Sequence, residues 1–288
     1  RLQGDWSSDV CSSDLAKTGG PPTVAHACRE FGLTISLKKT EVMSQGTGSH
    51  PSIHIRDYDL NLVSQFQYLG STISSNLSLE PEISARIAKA AETMSKLQKR
   101  VWDNKNLTNN TKMQVYRAGV LSTLLYSSEA WTTYATQEER LNSFHLRCLR
   151  HILGIRGQDL VPNTVVVERA GLPSIFALLA QCRLRWLGHV RRMDDSRIPK
   201  DLLYGELADG ARSRGRPSLR YKDSCKRDFK GAGIDLDTWE SLAENRGAWR
   251  SAVLSGVERA EEERTTCSID CHSRIRLYSH QRKCSTRT

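Results

Sequence analysis

Two periods of apolar residues run along this chain, and the change from one to the other divides it. Leu33, Ile35 and Leu37 alternate with polar neighbours, the two-residue period of a half-buried strand, and Ile53 and Ile55 begin a second such run. The Gly/Ser-rich segment 45–49 supplies a turn between them, and Phe66 to Ile73 continues the edge of the sheet. Residues 23–32 read as the end of a helix, with Gly32 suited to its C-terminal cap. No further strand is expected.

From Leu79 onward the spacing becomes helical. Ile83, Ile87, Ala90, Met94, Leu97 and Val101 recur at steps of three and four, the apolar stripe of one long helix. Pro81 falls in its first turn, where a missing N–H costs nothing. Arg86, Lys89, Lys96, Lys99 and Arg100 gather on a separate face. A second helix is predicted from about Thr111 to Ser128, burying Met113, Tyr116, Val120, Leu121, Leu124 and Leu125. Thr136 with Glu139 forms a capping box for a third, with Leu141, Phe144, Cys148, Leu149 and Ile152 inward. A fourth runs from Ile175 to Met193, burying Leu178, Leu179, Cys182, Trp186 and Val190.

Gly210 to Leu219 interrupts this pattern with Gly, Pro, Ser and Arg, and reads as a linker. A short helical unit with Trp239 and Trp249 follows, with Asp237 and Glu240 as a capping signal, and Glu261-Glu262-Glu263 sets it off from a Cys/His tail. The expected fold is mainly α with a small β remnant. Its boundaries are 16–75 for the β-containing part, 76–209 for the helical part, 210–224 for a basic linker, 225–260 for the helical unit and 264–288 for the tail.

Composition narrows the partners. At 288 residues the chain is long enough for about two domains. It carries 42 Lys and Arg against 32 Asp and Glu, a net charge of +10, which favours a polyanion whose phosphates these cations neutralise. No apolar run approaches the roughly 20 residues that span a bilayer, and no signal peptide is visible. No membrane partner is expected, and the expected location is intracellular, nuclear or cytoplasmic, not secreted. The eight Cys are scattered apart from Cys267, Cys271 and Cys284, and read as reduced thiols plus one candidate metal site. Asp5 to Leu15, DWSSDVCSSDL, is the string that a widely used short-read sequencing adapter gives when translated in one frame; the plain alternative is a polar, Ser/Asp-rich disordered arm. Residues 1–15 are therefore left out of the fold reading, and Cys11 out of the cysteine reading.

Several segments resemble the non-LTR (LINE-like) retrotransposon reverse transcriptases, in the order that family has them. FGLTISLKKTEVM at 31–43 resembles the strand after the catalytic hairpin, and FQYLGSTI at 66–73 the turn that closes the palm. LSTLLYSSEAW at 121–131 is similar to the thumb helix with its Glu-x-Trp ending, and RWLGHVRRM at 185–193 to the segment after the thumb. Arg214-Gly-Arg-Pro217 and the Trp239/Trp249 pair match later C-terminal parts. Gly157 stands where this group usually has Trp.

The resemblance implies a palm remnant, a helical thumb and a terminal zinc-finger-like tail. It implies RNA and DNA, as a template–primer duplex, as partners. An intact relative would be an RNA-directed DNA polymerase using Mg²⁺ held by aspartates. The aromatic-Ala-Asp-Asp hairpin belongs just before Thr23 and does not occur there, so this stretch is expected to be inactive, with the adapter joined where the catalytic segment lies. Arg192-Met-Asp-Asp195 imitates such a hairpin, but it follows a basic helix and reads as turn chemistry.

By the same resemblance, Lys39 lies near the incoming nucleotide's phosphates, where it could protonate leaving pyrophosphate. Without the metals, a solvated strand-end lysine is the preferred reading. Tyr68, Leu69 and Gly70 resemble the primer grip, whose plain alternative is an edge-strand turn. The face with Arg86, Lys89, Lys96, Lys99 and Arg100 suits a duplex backbone, with a solvated helix face as the alternative. Arg214 and Arg216 sit in an AT-hook-like core that fits a minor groove or a simple linker equally well. In the tail, His280 and Cys284 are four apart on one helix face, as in a finger. Cys267 takes the second ligand position, and Cys271 or His272 stands in for a first ligand that would fall at Arg264. Weak or altered Zn²⁺ binding by Cys267, Cys271, His280 and Cys284 is expected. The competing readings are a non-enzymatic nucleic-acid-binding module and a non-functional relic of a decayed element.

Overall fold

A computed structural model describes residue 28 and residues 30–44, 53–55, 58–205 and 219–285, without the side chains of Ile55 and residues 267–285. The chain divides into two compact units, Arg1–Glu82 and Ile83–Thr288, with the division inside the first long helix. It is mainly helical with small sheets, as the periodicity predicts.

The first unit holds three two-stranded pieces. β1 (Glu41–Val42) pairs in parallel with β4 (Asn61–Leu62), and β2 (His54–Ile55) pairs antiparallel with β3 (Tyr58–Asp59). β5 (Gln65–Tyr68) and β6 (Ser71–Ser74) form a hairpin with Tyr68 opposite Ser71. That register leaves Leu69-Gly70 as a two-residue loop, with φ of 47° and 86°. Both positive angles match the primed turn that suits the twist of a hairpin. The Thr72 N–H on β6 donates to Glu82 Oε2 at 2.5 Å, tying the hairpin to the first turn of α1 (Glu80–Lys96).

The strand expected over Leu33 to Leu37 does not form. Residues 33–36 are irregular and Leu37–Lys39 is a 3₁₀ turn. The Ser36 carbonyl accepts from the N–H groups of Lys39 (2.9 Å) and Thr40 (3.1 Å) and from Thr40 Oγ1 (3.0 Å). A local turn thus takes the acceptor that a ladder would need, and no strand among the described residues pairs with this one. Phe66 to Ile73 likewise forms its own hairpin and does not extend the other strands.

In the second unit α1 passes into a π-helical turn, Gln98–Trp102. Side chains satisfy the carbonyls there: Trp102 Nε1 donates to Met94 O at 2.8 Å, and Lys112 Nζ to Trp102 O at 2.7 Å. The helix expected near Thr111 to Ser128 is broken in the same way. α2 (Asn109–Val115), a π turn (Tyr116–Leu121) and α3 (Ser122–Leu124) follow one another. The hydroxyls of Ser122 (3.1 Å) and Thr123 (2.8 Å) both donate to Gly119 O, drawing it out of the regular ladder. The predicted inward residues Met113, Tyr116, Val120, Leu121 and Leu124 are buried despite the break, and Leu125 is half-buried.

After a 3₁₀ turn at Ser128–Ala130 come α4 (Ala135–Leu153), α5 (Asn163–Ala170) and α6 (Ile175–Arg191). α7 (Ile198–Tyr204), α8 (Tyr221–Ala232), α9 (Trp239–Glu244) and α10 (Arg246–Ser285) complete the unit. The capping bond of α4 lies two residues earlier than expected: the Tyr134 N–H donates to Gln137 Oε1 at 3.0 Å. α10 runs unbroken through Glu261-Glu262-Glu263, where the charge run was expected to mark a boundary. Glu261 instead holds the start of α6, accepting from Ser174 N (3.2 Å) and Ser174 Oγ (2.6 Å). α6 is the hub, packing against α4, α7, α8, α9, α10 and the 3₁₀ turn. Among the described residues no single helix is long and apolar enough to cross a membrane.

His145 on α4 is fully buried, with Nδ1 2.9 Å from Tyr116 Oη and no partner for Nε2. Burial lowers its pKa from 6.5 to about 4. Below pH 6.5 the unfolded chain therefore takes up a proton that the folded chain refuses, and stability falls until about pH 4. The expected loss over that window is about 3 kcal/mol. His145→Gln keeps a partner for Tyr116. Comparing urea midpoints of the two proteins at pH 7 and pH 4.5 should show a smaller acid loss in the variant; equal losses refute the assignment.

Candidate nucleic-acid interface

The charges of the second unit fall into two groups, and α6 carries members of both. Arg183 faces inward and its side chain is 2 % exposed. Its Nε and Nη2 donate to the two oxygens of Asp228 on α8, at 2.6 and 3.1 Å. Its Nη1 donates to Thr133 Oγ1 at 3.1 Å, and that hydroxyl donates to Glu138 Oε1 at 2.6 Å. Glu138, on α4, also accepts from Arg227 Nη2 at 2.6 Å. Burial pulls the Arg183 pKa down, but Asp228 and Glu138 outweigh it and hold the guanidinium charged. Two cations thus meet two carboxylates, and α4, α6 and α8 are tied together. None of these residues was singled out by the sequence.

Three residues further along α6, the Trp-Leu-Gly-His segment begins and does a different job. A Cβ at Gly188 would lie 2.1 Å from Trp249 Nε1. The indole of α10 therefore rests directly on the α6 backbone, and its Nε1 donates to Leu184 O at 3.0 Å. Phe229 and Trp239 enclose it, with ring centroids 6.3 and 6.2 Å away. Trp249 is core, half-buried Trp239 packs against it, and Gly188 is what lets α6 and α10 approach.

The outer faces of the same two helices border a cleft of about 880 Å³. α6 contributes Cys182, Arg185, Trp186 and His189, and α10 contributes Arg246, Trp249, Arg250 and Val253. Each set is spaced i, i+3, i+4, i+7, which places it on one helical face. Arg117, Arg192 and Glu129 also line the cleft. Trp186, expected in the core, is only half-buried here, with its ring 5.3 Å from that of His189. Burial pushes the Cys182 thiol up, so it remains protonated. Arg192 Nη1 donates to Ala243 O at 2.6 Å. Arg117, Arg185, Arg246 and Arg250 are exposed, and none has a carboxylate within ion-pair distance among the described residues.

The residues expected to contact nucleic acid are distributed unevenly. Arg86 is 4 % exposed and its guanidinium sits 4.4 Å from the Tyr126 ring centroid, so it belongs to the core and not to the solvated face. Lys89 is half-buried, Lys96 is exposed and paired with Glu92 at 2.7 Å, and Lys99 and Arg100 are exposed on the π turn after α1. Tyr68 and Leu69 are exposed at the hairpin tip, Leu69 at 76 % and in left-handed backbone. Lys39 is exposed at the end of its 3₁₀ turn. Asp194 and Asp195 lie in a turn, with Asp195 paired to Lys200 at 2.6 Å, as the turn reading requires. Arg214 and Arg216 lie outside the described residues, as do the side chains of Cys267, Cys271, His280 and Cys284. Among the described residues no group of three His, Cys, Asp or Glu is placed to hold a metal.

Over 244 residues, 78 % of this chain and 84 % of the relative, the sequence is 26 % identical to a Caenorhabditis elegans protein named as an uncharacterized transposon-derived protein. The similarity covers most of both chains, and it puts a transposon-derived protein among the relatives of this one. No family model matches the chain, and no solved structure matches it.

Proposed function

We propose that this chain is the palm-end and thumb portion of a non-LTR retrotransposon reverse transcriptase, and that what it does by itself is bind nucleic acid. One contrast carries the reading. Buried Arg183 is matched by Asp228, and Arg227 beside it by Glu138. Exposed cations on the α1 π turn and around the α6–α10 cleft, among them Lys99, Arg100, Arg185 and Arg250, have no carboxylate partner among the described residues. A surface that had only to be soluble would intersperse both signs; unmatched cations on a protein of net +10 suit a polyanion. The transposon-derived relative and the ordered family-like segments make nucleic acid the polyanion of choice.

The hairpin tip fits this reading. Leu69 keeps an apolar side chain exposed in left-handed backbone, at a cost of roughly 1–2 kcal/mol that glycine would avoid. Tyr68, Leu69 and Gly70 would grip a primer end, and Lys39 would lie at the phosphate side. Zinc at the tail is a separate proposal. An unbroken α10 would place Cys267 and Cys284 about 25 Å apart along the axis, so one shared ion requires that helix to break.

Binding of a template–primer duplex by fluorescence anisotropy tests the reading. Lys99→Gln with Arg100→Gln should weaken duplex binding several-fold, and the wild-type polypeptide should extend no primer with Mg²⁺ and deoxynucleotides. Primer extension that is lost in Lys39→Ala would contradict the inactive assignment, and undiminished binding by the double variant would contradict the thumb face.

A further inference from the structure

We propose that the α6–α10 cleft is a second nucleic-acid site, one that takes a single-stranded segment with its phosphates on Arg117, Arg185, Arg246 and Arg250 and an unstacked base on Trp186. The proposal rests on the nucleic-acid reading above, and names residues outside the α1 face and the hairpin tip.

Charge and shape both point to this occupant. Among the described residues, five arginines and one carboxylate, Glu129, line the cleft. A lining with four guanidinium groups free of carboxylates cannot be neutral in water, and a phosphate chain is the ligand that neutralises several of them at once. The cleft is also aromatic where it is basic. Trp186 lies between Arg185 and His189 on the same face, half-buried, and so is held in place with one side toward the opening. Trp249 closes the floor and fixes the separation of the helices. A base has a π face that an indole or a guanidinium can stack on, and single-strand sites combine such platforms with a basic groove.

A duplex would use this cleft poorly. Its bases remain stacked inside, so it could offer phosphates to the arginines but nothing to Trp186. A volume of about 880 Å³ is within the range that holds a small molecule, enough for a few unpaired nucleotides and too small to take in a helix. An acidic peptide would meet the charges but would leave the indole without a flat partner.

Glu129 sharpens the prediction. Its backbone is fixed, since Tyr221 Oη donates to Glu129 O at 3.0 Å, and its carboxylate is the one acidic group in the lining among the described residues. Phosphates in the cleft would be repelled by it, so Glu129→Gln should tighten binding.

The test uses the full chain and an unpaired 12-nucleotide oligonucleotide, with a duplex of the same length as the second ligand and polyglutamate as competitor. Arg185→Gln with Arg250→Gln, both at exposed positions, should weaken single-strand binding about 10-fold and lower the slope of log K against log salt by about 1.4. Trp186→Leu should weaken it about 5-fold or more while duplex binding stays within twofold. If the wild type binds the oligonucleotide and the arginine pair changes nothing, the cleft is refuted while the broader reading stands. Equal losses for single strand and duplex in Trp186→Leu, or competition by polyglutamate equal to that of the oligonucleotide, would overturn base stacking there. A folded wild type that binds neither ligand would remove both readings.

Discussion

Asp228→Ala is expected to cost about 3–5 kcal/mol of stability, because it strands the Arg183 guanidinium inside the protein. Arg183 makes two hydrogen bonds to Asp228, including its shortest, and its remaining partners are Thr133 and a more distant Glu138 at 3.6 Å. Removing the carboxylate leaves a buried cation whose desolvation nothing nearby fully offsets. For a unit of about this size, that corresponds to a fall in Tm of roughly 10 °C. The reverse change is informative. Arg183→Met with Asp228→Leu removes both charges together and should return most of the loss, since a well-packed apolar pair often equals or exceeds a buried ion pair. Urea midpoints of the three proteins at pH 7 decide the matter. A loss below about 1 kcal/mol in Asp228→Ala, or no recovery in the double variant, would show that the three helices are not held in this way.

Gly188→Ala is the second large effect. The new methyl would stand 2.1 Å from Trp249 Nε1 and 2.4 Å from its Cδ1, so α6 and α10 must separate or the indole must leave its site. Phe229 and Trp239 pack against that indole, and its hydrogen bond to Leu184 O would be lost if it moved. Overpacking of a closed core costs about 1–3 kcal/mol and sometimes more, and here the upper end is expected. Shrinking the partner should relieve the clash: in a Trp249→Leu background, Gly188→Ala should cost about 1 kcal/mol or less. Additive losses from the two substitutions would mean that Gly188 serves some purpose other than seating Trp249.

Both predictions rest on features that the sequence conceals to different degrees. Helix positions after Leu79 were legible because an apolar stripe must be kept wherever one side of a helix is buried. The π turns at Gln98–Trp102 and Tyr116–Leu121 were not legible, since shifting one hydrogen-bond step leaves Val120, Leu121 and Leu124 buried all the same. The strand at Leu33 to Leu37 failed because alternation describes a face, while a strand also needs a partner to bond to.

Charge was the hardest to read. Arg183 and Arg185 are two residues apart in one basic run, yet one is locked to Asp228 and the other lines an open cleft. Only the fold, which brings α8 to one side of α6, separates them. Arg86 looked like a member of a solvated face but lies under Tyr126, 40 positions along the chain. Trp186 looked apolar and inward. On a hub helix packed against five others, the inward faces are taken by Leu179, Leu184, Leu187 and Val190, and the indole is left at the rim. The Trp-Leu-Gly-His string was visible in the sequence, but the reason for its glycine was not, because Trp249 lies 61 residues away.

The most direct measurement of the central claim is the salt dependence of nucleic-acid binding by the whole chain. About six unmatched cations imply a slope of log K against log salt near −4 to −5, or a loss of affinity on the order of 10²–10³ between 50 and 200 mM salt. That steep, linear fall is the predicted result. Affinity that is absent in a folded protein, or that does not change over this range, would contradict the account.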